Sequence, residues 1–116
     1  MTKVLFLSRH SMSDEQLQDL KRIYGEDVTV KTVSEIVSHY TDVMAYGEGC
    51  DVFAVVLPPA ILADLVNPRN NNKPVIRSVM NRVKTGNQTS TGEDEYRFVF
   101  DHWERVVKIE VVTERL

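Results

Sequence analysis

Residues Val52-Phe53-Ala54-Val55-Val56 form an unbroken apolar run that stops at Pro58-Pro59. A strand with one wet face alternates apolar and polar side chains; a strand covered on both faces does not. The run over Asp51–Leu57 therefore reads as a strand buried between two layers. Lys3-Val4-Leu5-Phe6-Leu7-Ser8 repeats the pattern near the N-terminus. Two such strands require covering elements on both sides, which points to a parallel sheet with helical crossovers.

The intervening residues supply those crossovers. Ser13 has the chemistry of an N-cap, with Asp14 and Glu15 in the first turn and Gln16 completing a capping box. Leu17, Leu20, Ile23 and Tyr24 recur at helical spacing, and Gly25 ends the helix. Val28 to Val33 reads as the next strand. Ser34 is expected to cap a second helix carrying Ile36, Val37, Tyr40, Val43 and Met44, closed by Gly47 and Gly49. Pro58-Pro59 opens a third, with Ile61, Leu62, Leu65 and Val66 on its apolar stripe.

After the polar stretch Asn67–Pro74 the character changes. Val75 to Val83 fits either a helical or a strand spacing. The leading proline and the β-branched residues favour a strand. Lys84 to Glu95 lacks periodicity and reads as a mobile loop, with Glu93-Asp94-Glu95 as solubilising charge. Tyr96, Phe98 and Phe100 alternate with Arg97, Val99 and Asp101. Val107, Ile109 and Val111 alternate in the same way. The sequence thus predicts a C-terminal antiparallel hairpin turning at His102-Trp103-Glu104. The expected fold is α/β: a Rossmann-like three-layer domain over residues 1–116, with parallel strands in the first half and an antiparallel hairpin, giving a mixed sheet.

Charge and composition exclude several functions. A net charge of −3 argues against broad binding to duplex nucleic acid, which usually needs a basic face. A small anionic ligand remains compatible, since a local site needs few cations. Cys50 is the lone cysteine, which points to a reducing, cytoplasmic setting and to a packed thiol. His10, His39 and His102 have no metal-ligand spacing. Neither a cofactor nor a membrane span is expected.

In open parallel sheets ligands gather at the carboxyl ends of the strands. Ser8-Arg9-His10-Ser11 lies where the first strand ends and a helix begins. Arg9 offers bidentate contacts to phosphate. A histidine such as His10 can move a proton near neutral pH. Ser8 and Ser11 offer hydroxyls for a phosphate or ribose. Pro58 and Pro59 are expected at the same sheet edge, as a rigid wall for a base or simply as a strand-to-helix turn. Arg69, Lys73 and Arg77 are candidates to add positive charge there, although a solvated loop accounts for them as well. Trp103 is expected to pack onto the sheet, with a partner contact as the alternative.

The opening Lys3–Leu17, with its apolar strand, Ser/His loop and Ser-x-x-Gln helix start, resembles small standalone CRISPR-associated proteins of Rossmann-like fold. The resemblance lies within the first quarter of the chain. It implies binding of cyclic oligoadenylate, the second messenger of type III CRISPR antiviral signalling, and metal-independent ring-nuclease cleavage. It also implies a homodimer with ligand across the two-fold axis. Ser8, Arg9, His10 and Ser11 would then line the site, with Arg9 stabilising charge and His10 acting as acid or base. No second catalytic residue in the C-terminal half matches. From another class, the chain also fits a non-catalytic dimeric protein-interaction module of a mobile or accessory element, using a sheet edge and the Trp103 region.

Overall fold

A computed structural model describes residues 1–110 and 112–116. The chain runs β1 (Lys3–Leu7), α1 (Asp14–Tyr24), β2 (Thr29–Val33), α2 (Tyr40–Tyr46), β3 (Val52–Val55), α3 (Pro59–Val66), β4 (Val75–Gln88) and β5 (Asp94–Arg105). The strands form one sheet in the order β2-β1-β3-β4-β5. Pairing is parallel from β2 to β4 and antiparallel between β4 and β5. This is the mixed, Rossmann-like α/β sheet that the alternation of apolar runs and capped helices predicts. No helix among the described residues is long and apolar enough to cross a membrane.

Both faces of the central strands are covered, which is why their sequences do not alternate. Val4, Phe6, Val52, Ala54 and Ile76 pack beneath Leu20 of α1 and beneath Trp103. Leu5, Leu7, Phe53, Val55 and Val75 pack against Val43 of α2 and Leu62 and Leu65 of α3. Each such buried side chain contributes roughly 1.5–3 kcal/mol. Cys50 is wholly buried in the second cluster, as a packed thiol should be. Gly47, at the C-terminus of α2, admits the Phe53 ring so closely that no Cβ would fit.

The capping box predicted at Ser13 is present. The Gln16 amide donates to Ser13 Oγ at 3.2 Å, and the Ser13 amide donates to Gln16 Oε1 at 2.9 Å. Pro59 opens α3, where its missing N–H costs nothing. In the α3–β4 connection Asn71 is buried, but both ends of its amide are bonded: Nδ2 to the Leu65 and Lys73 carbonyls, Oδ1 from the Lys73 amide.

Four expectations are corrected. Helix α2 begins at Tyr40, not Ser34; its cap is His39, whose Nδ1 accepts from the Thr41 amide, and residues 34–39 lead in without helix. Ile36, assigned to the helix stripe, is 83% exposed. Residues 75–83 are strand, and that strand continues through Gln88, so most of the expected mobile loop is regular structure. The hairpin turns at Thr89–Glu93, with Gly92 at φ 83°, where a Cβ would be strained. His102-Trp103-Glu104 lies inside β5 beside an irregularity between Val79 and Met80 that leaves Asp101 without a partner. The expected last strand is not formed among the described residues: Val106–Glu110 has no regular structure, and Val111 lies outside the described residues. Val106 and Ile109 instead pack against the α2/α3 side of the core.

The β4–β5 ribbon extends beyond the body. The radius of gyration is 16.7 Å, against about 13 Å for a compact domain of this length.

Candidate functional site

The strand order places a switch point between β1 and β3. From β1 the chain crosses to β2 on one side; from β2 it returns past β1 to β3 on the other. Helix α1 lies on one face and α2 and α3 on the opposite face. The connections therefore diverge at the carboxyl ends of β1 and β3 and leave a crevice there.

Backbone bonds fix the loops that line it. The Ser8 amide donates to the Val33 carbonyl at 3.1 Å, tying the end of β1 to β2. The Val56 amide donates to the Leu7 carbonyl at 3.3 Å, carrying the β1–β3 ladder into the loop. The His10 amide donates to Ser8 Oγ at 3.2 Å, so this hydroxyl turns the loop. Arg9, His10 and Ser11 stay exposed. Among the described residues, neither the Arg9 nor the His10 side chain makes an ion pair or a hydrogen bond within the chain.

Two clefts flank this loop. One, of about 340 Å³, lies between the ends of β1, β2 and β3 and is lined by Ser8, Arg9, His10, Glu35, Ile36 and Pro58 among others. The other, of about 720 Å³, lies between the first loop, the start of α1 and the ribbon. Ser8, His10, Ser11 and Glu15 contribute polar groups to it; Phe6, Met80, Phe98, Phe100 and Trp103 contribute apolar ones, and Arg97 also lines it. Ser8, His10 and Val56 belong to both.

Gln16 holds the larger cleft in shape. Its Nε2 donates to Ser78 Oγ of β4 at 3.1 Å, and its carbonyl accepts from Trp103 Nε1 of β5 at 3.0 Å. With the Ser13 contact, one residue joins the first loop, α1 and both ribbon strands. Trp103 is 8% exposed and has ring contacts with Phe6 and Phe100. It packs as expected and is not free for a partner.

The N-terminus of α1 is poorly suited to receive an anion here. Ser13 and Gln16 amides are engaged in the capping box, and Asp14 and Glu15 already complement the helix dipole. The side chains left exposed at this end of the sheet are those of Arg9, His10 and Ser11.

The structure brings together Ser8, Arg9, His10, Ser11 and Pro58. Pro59 lies one residue beyond, in the first turn of α3. Two expected members are elsewhere. Lys73 precedes β4 at the amino end of the parallel strands, where its Nζ donates to the Cys50 carbonyl at 2.6 Å and lies 5.7 Å from the Phe53 ring centroid. Arg77 is on β4, ion-paired with Glu104 across the ribbon. Strand direction carries Lys73 to the far edge, whereas Arg77, level with the carboxyl end of β3, is held by Glu104 and lines neither cleft. Sequence reasoning missed Glu35, Ile36, Met80 and Arg97. Alternation at Tyr96–Phe100 exposed the strand but not its position over the first loop.

No family model, curated protein or solved structure matches this chain.

Proposed function

We propose that this protein binds a nucleotide second messenger, cyclic oligoadenylate, in the twin clefts at the switch point. The observation that carries the reading is their shared wall: Ser8 and His10 line both, and Arg9 lines the smaller. Phosphate is matched by a guanidinium with no carboxylate partner and by hydroxyl donors. The apolar side with Phe98 and Phe100 suits the flat face of a base, since aromatic stacking tolerates any base. A repeating ligand needs alternate phosphate and base contacts, and adjoining clefts supply both.

We propose further that the same site cleaves the ring without a metal. A ribose 2′-oxygen attacks the adjacent phosphorus as its proton passes to His10 Nδ1 or Nε2. The bond from phosphorus to the 5′-oxygen breaks as His10 passes that proton on to the leaving oxygen, giving a 2′,3′-cyclic phosphate, a 5′-hydroxyl and His10 in its starting state. Arg9 stabilises the added charge, and Ser11 orients a phosphate oxygen.

The test is a thermal-shift screen with cyclic tri-, tetra- and hexa-adenylate, using linear oligoadenylates and mononucleotides as controls. At a hundredfold excess over Kd, a ligand stabilises the fold by about 2.7 kcal/mol. One cyclic species should raise Tm, and Arg9→Ala with His10→Ala should abolish the shift while leaving the unliganded Tm unchanged. Product analysis of the same mixture reads cleavage separately. No shift with folded protein overturns the proposal.

A further inference from the structure

The β4–β5 ribbon carries apolar side chains on both faces. Phe98 is 71% and Met80 44% exposed on one face; Val83 and Val99 are exposed on the other. A two-stranded ribbon alone is marginal in water. Its outer strand, β5, is also a sheet edge with a row of unpaired backbone groups. The opposite edge differs. Strand β2 is five residues, Thr-Val-Lys-Thr-Val, and Lys31 is anchored to the Tyr46 carbonyl. Short length and a lysine blunt that edge, whereas Tyr96–Phe100 carries one charge in an otherwise apolar run.

We propose that β5 pairs antiparallel with β5 of a second copy of this chain, about a two-fold axis at Val99. The strand is complementary to itself in that register. Val99 meets Val99, Phe98 meets Phe100, and Arg97 meets Asp101 on each side of the axis. Arg97, Val99 and Asp101 share one face: Asn81, the cross-strand partner of Val99, donates to Asp101 Oδ1 at 2.9 Å. Moving the axis one residue, to Phe98, sets Glu95 against Asp101 and leaves Arg97 facing Val99. Like charges directly opposite are destabilising, so the Val99 register wins. Residues 97–101 of both copies pair without interruption; with the flanks beyond the irregularity at Asp101, residues 94–104 overlap in a strip of at most ~37 Å, which at ~10 Å on each face is bounded by the ~800 Å² per partner of a standard interface. This inference rests on the ribbon and not on the ligand reading.

Light scattering on the full chain across micromolar concentrations tests it. The expected species is twice 13.3 kDa. Arg97→Asp and Asp101→Arg, each alone, should raise the dimer Kd on the order of tenfold, since each sets like charges opposite on both sides of the axis. Together they should restore it to about the wild-type value, with circular dichroism confirming that each variant is folded. A monomer at every concentration overturns the proposal. So does a dimer indifferent to the single reversals, or a double variant no tighter than the singles.

Discussion

Replacing Gly47 by alanine sets two known effects against each other. The backbone at Gly47 has φ −89° and ψ 10°, which alanine adopts freely. Restricting the unfolded chain would by itself stabilise the fold by about 0.4–1 kcal/mol. A Cβ at Gly47, however, falls 3.0 Å from Phe53 Cζ and 3.1 Å from Cδ1, with Cε1 nearer still. Phe53 is wholly buried among Leu5, Val43, Leu65 and Val75, so its ring cannot move without disturbing close-packed neighbours. Overpacking of this kind costs about 1–3 kcal/mol. The clash outweighs the entropy gain, and the expected net loss is roughly 1–2 kcal/mol, or a Tm lower by about 4–10 °C. Thermal unfolding followed by circular dichroism reads it. Phe53→Leu in the Gly47→Ala background should recover part of the loss, a positive coupling between touching sites. A Tm within a degree of wild type, or strictly additive losses, would refute the packing argument.

Two further outcomes follow from contacts around α1. Trp103→Phe leaves the Gln16 carbonyl without its indole donor; the expected loss is ~1–2 kcal/mol, with faster amide exchange in α1 by hydrogen-exchange mass spectrometry, and unchanged exchange there would argue against the tie. Burial raises the Tyr24 hydroxyl above the ordinary tyrosine value, opposed in part by Arg105. Its folded form therefore holds the proton longer than the unfolded chain, so stability is full below about pH 10 and falls as pH rises above it. Tyr24→Phe should flatten that alkaline decline in urea-unfolding curves, and an unaltered slope would contradict the assignment.

The parts of the fold legible in sequence are those whose signal is local or doubly buried. Val52–Val55 and Val4–Leu7 announce strands because both of their faces are dry, and Ser13-x-x-Gln16 announces a helix start because its bonds span three residues. The parallel arrangement then places Ser8–Ser11 and Pro58 at one edge, as expected. The ribbon was obscure for the converse reason. Residues 81–88 bury little, so no hydrophobic alternation marks them, and Gly86 at φ 86° sits at an irregularity in the pairing where the sequence looks like loop. Residues 34–39 mislead because Ile36 and Val37 continue an apolar spacing that the backbone does not follow. The displacement of Lys73 is a matter of strand direction, which a list of basic residues does not contain.

The bond from Trp103 to Gln16 joins residues 87 positions apart. At ~5–20 residues per second on the ribosome, the carbonyl of Gln16 waits about 4–17 s for its indole. Until Trp103 is made, Val4 and Phe6, and Val52 once it follows, lack part of their cover on the α1 side. The nascent chain is thus a sheet with one wall unfinished, and a chaperone that shields apolar surface has its longest opportunity before β5 is made.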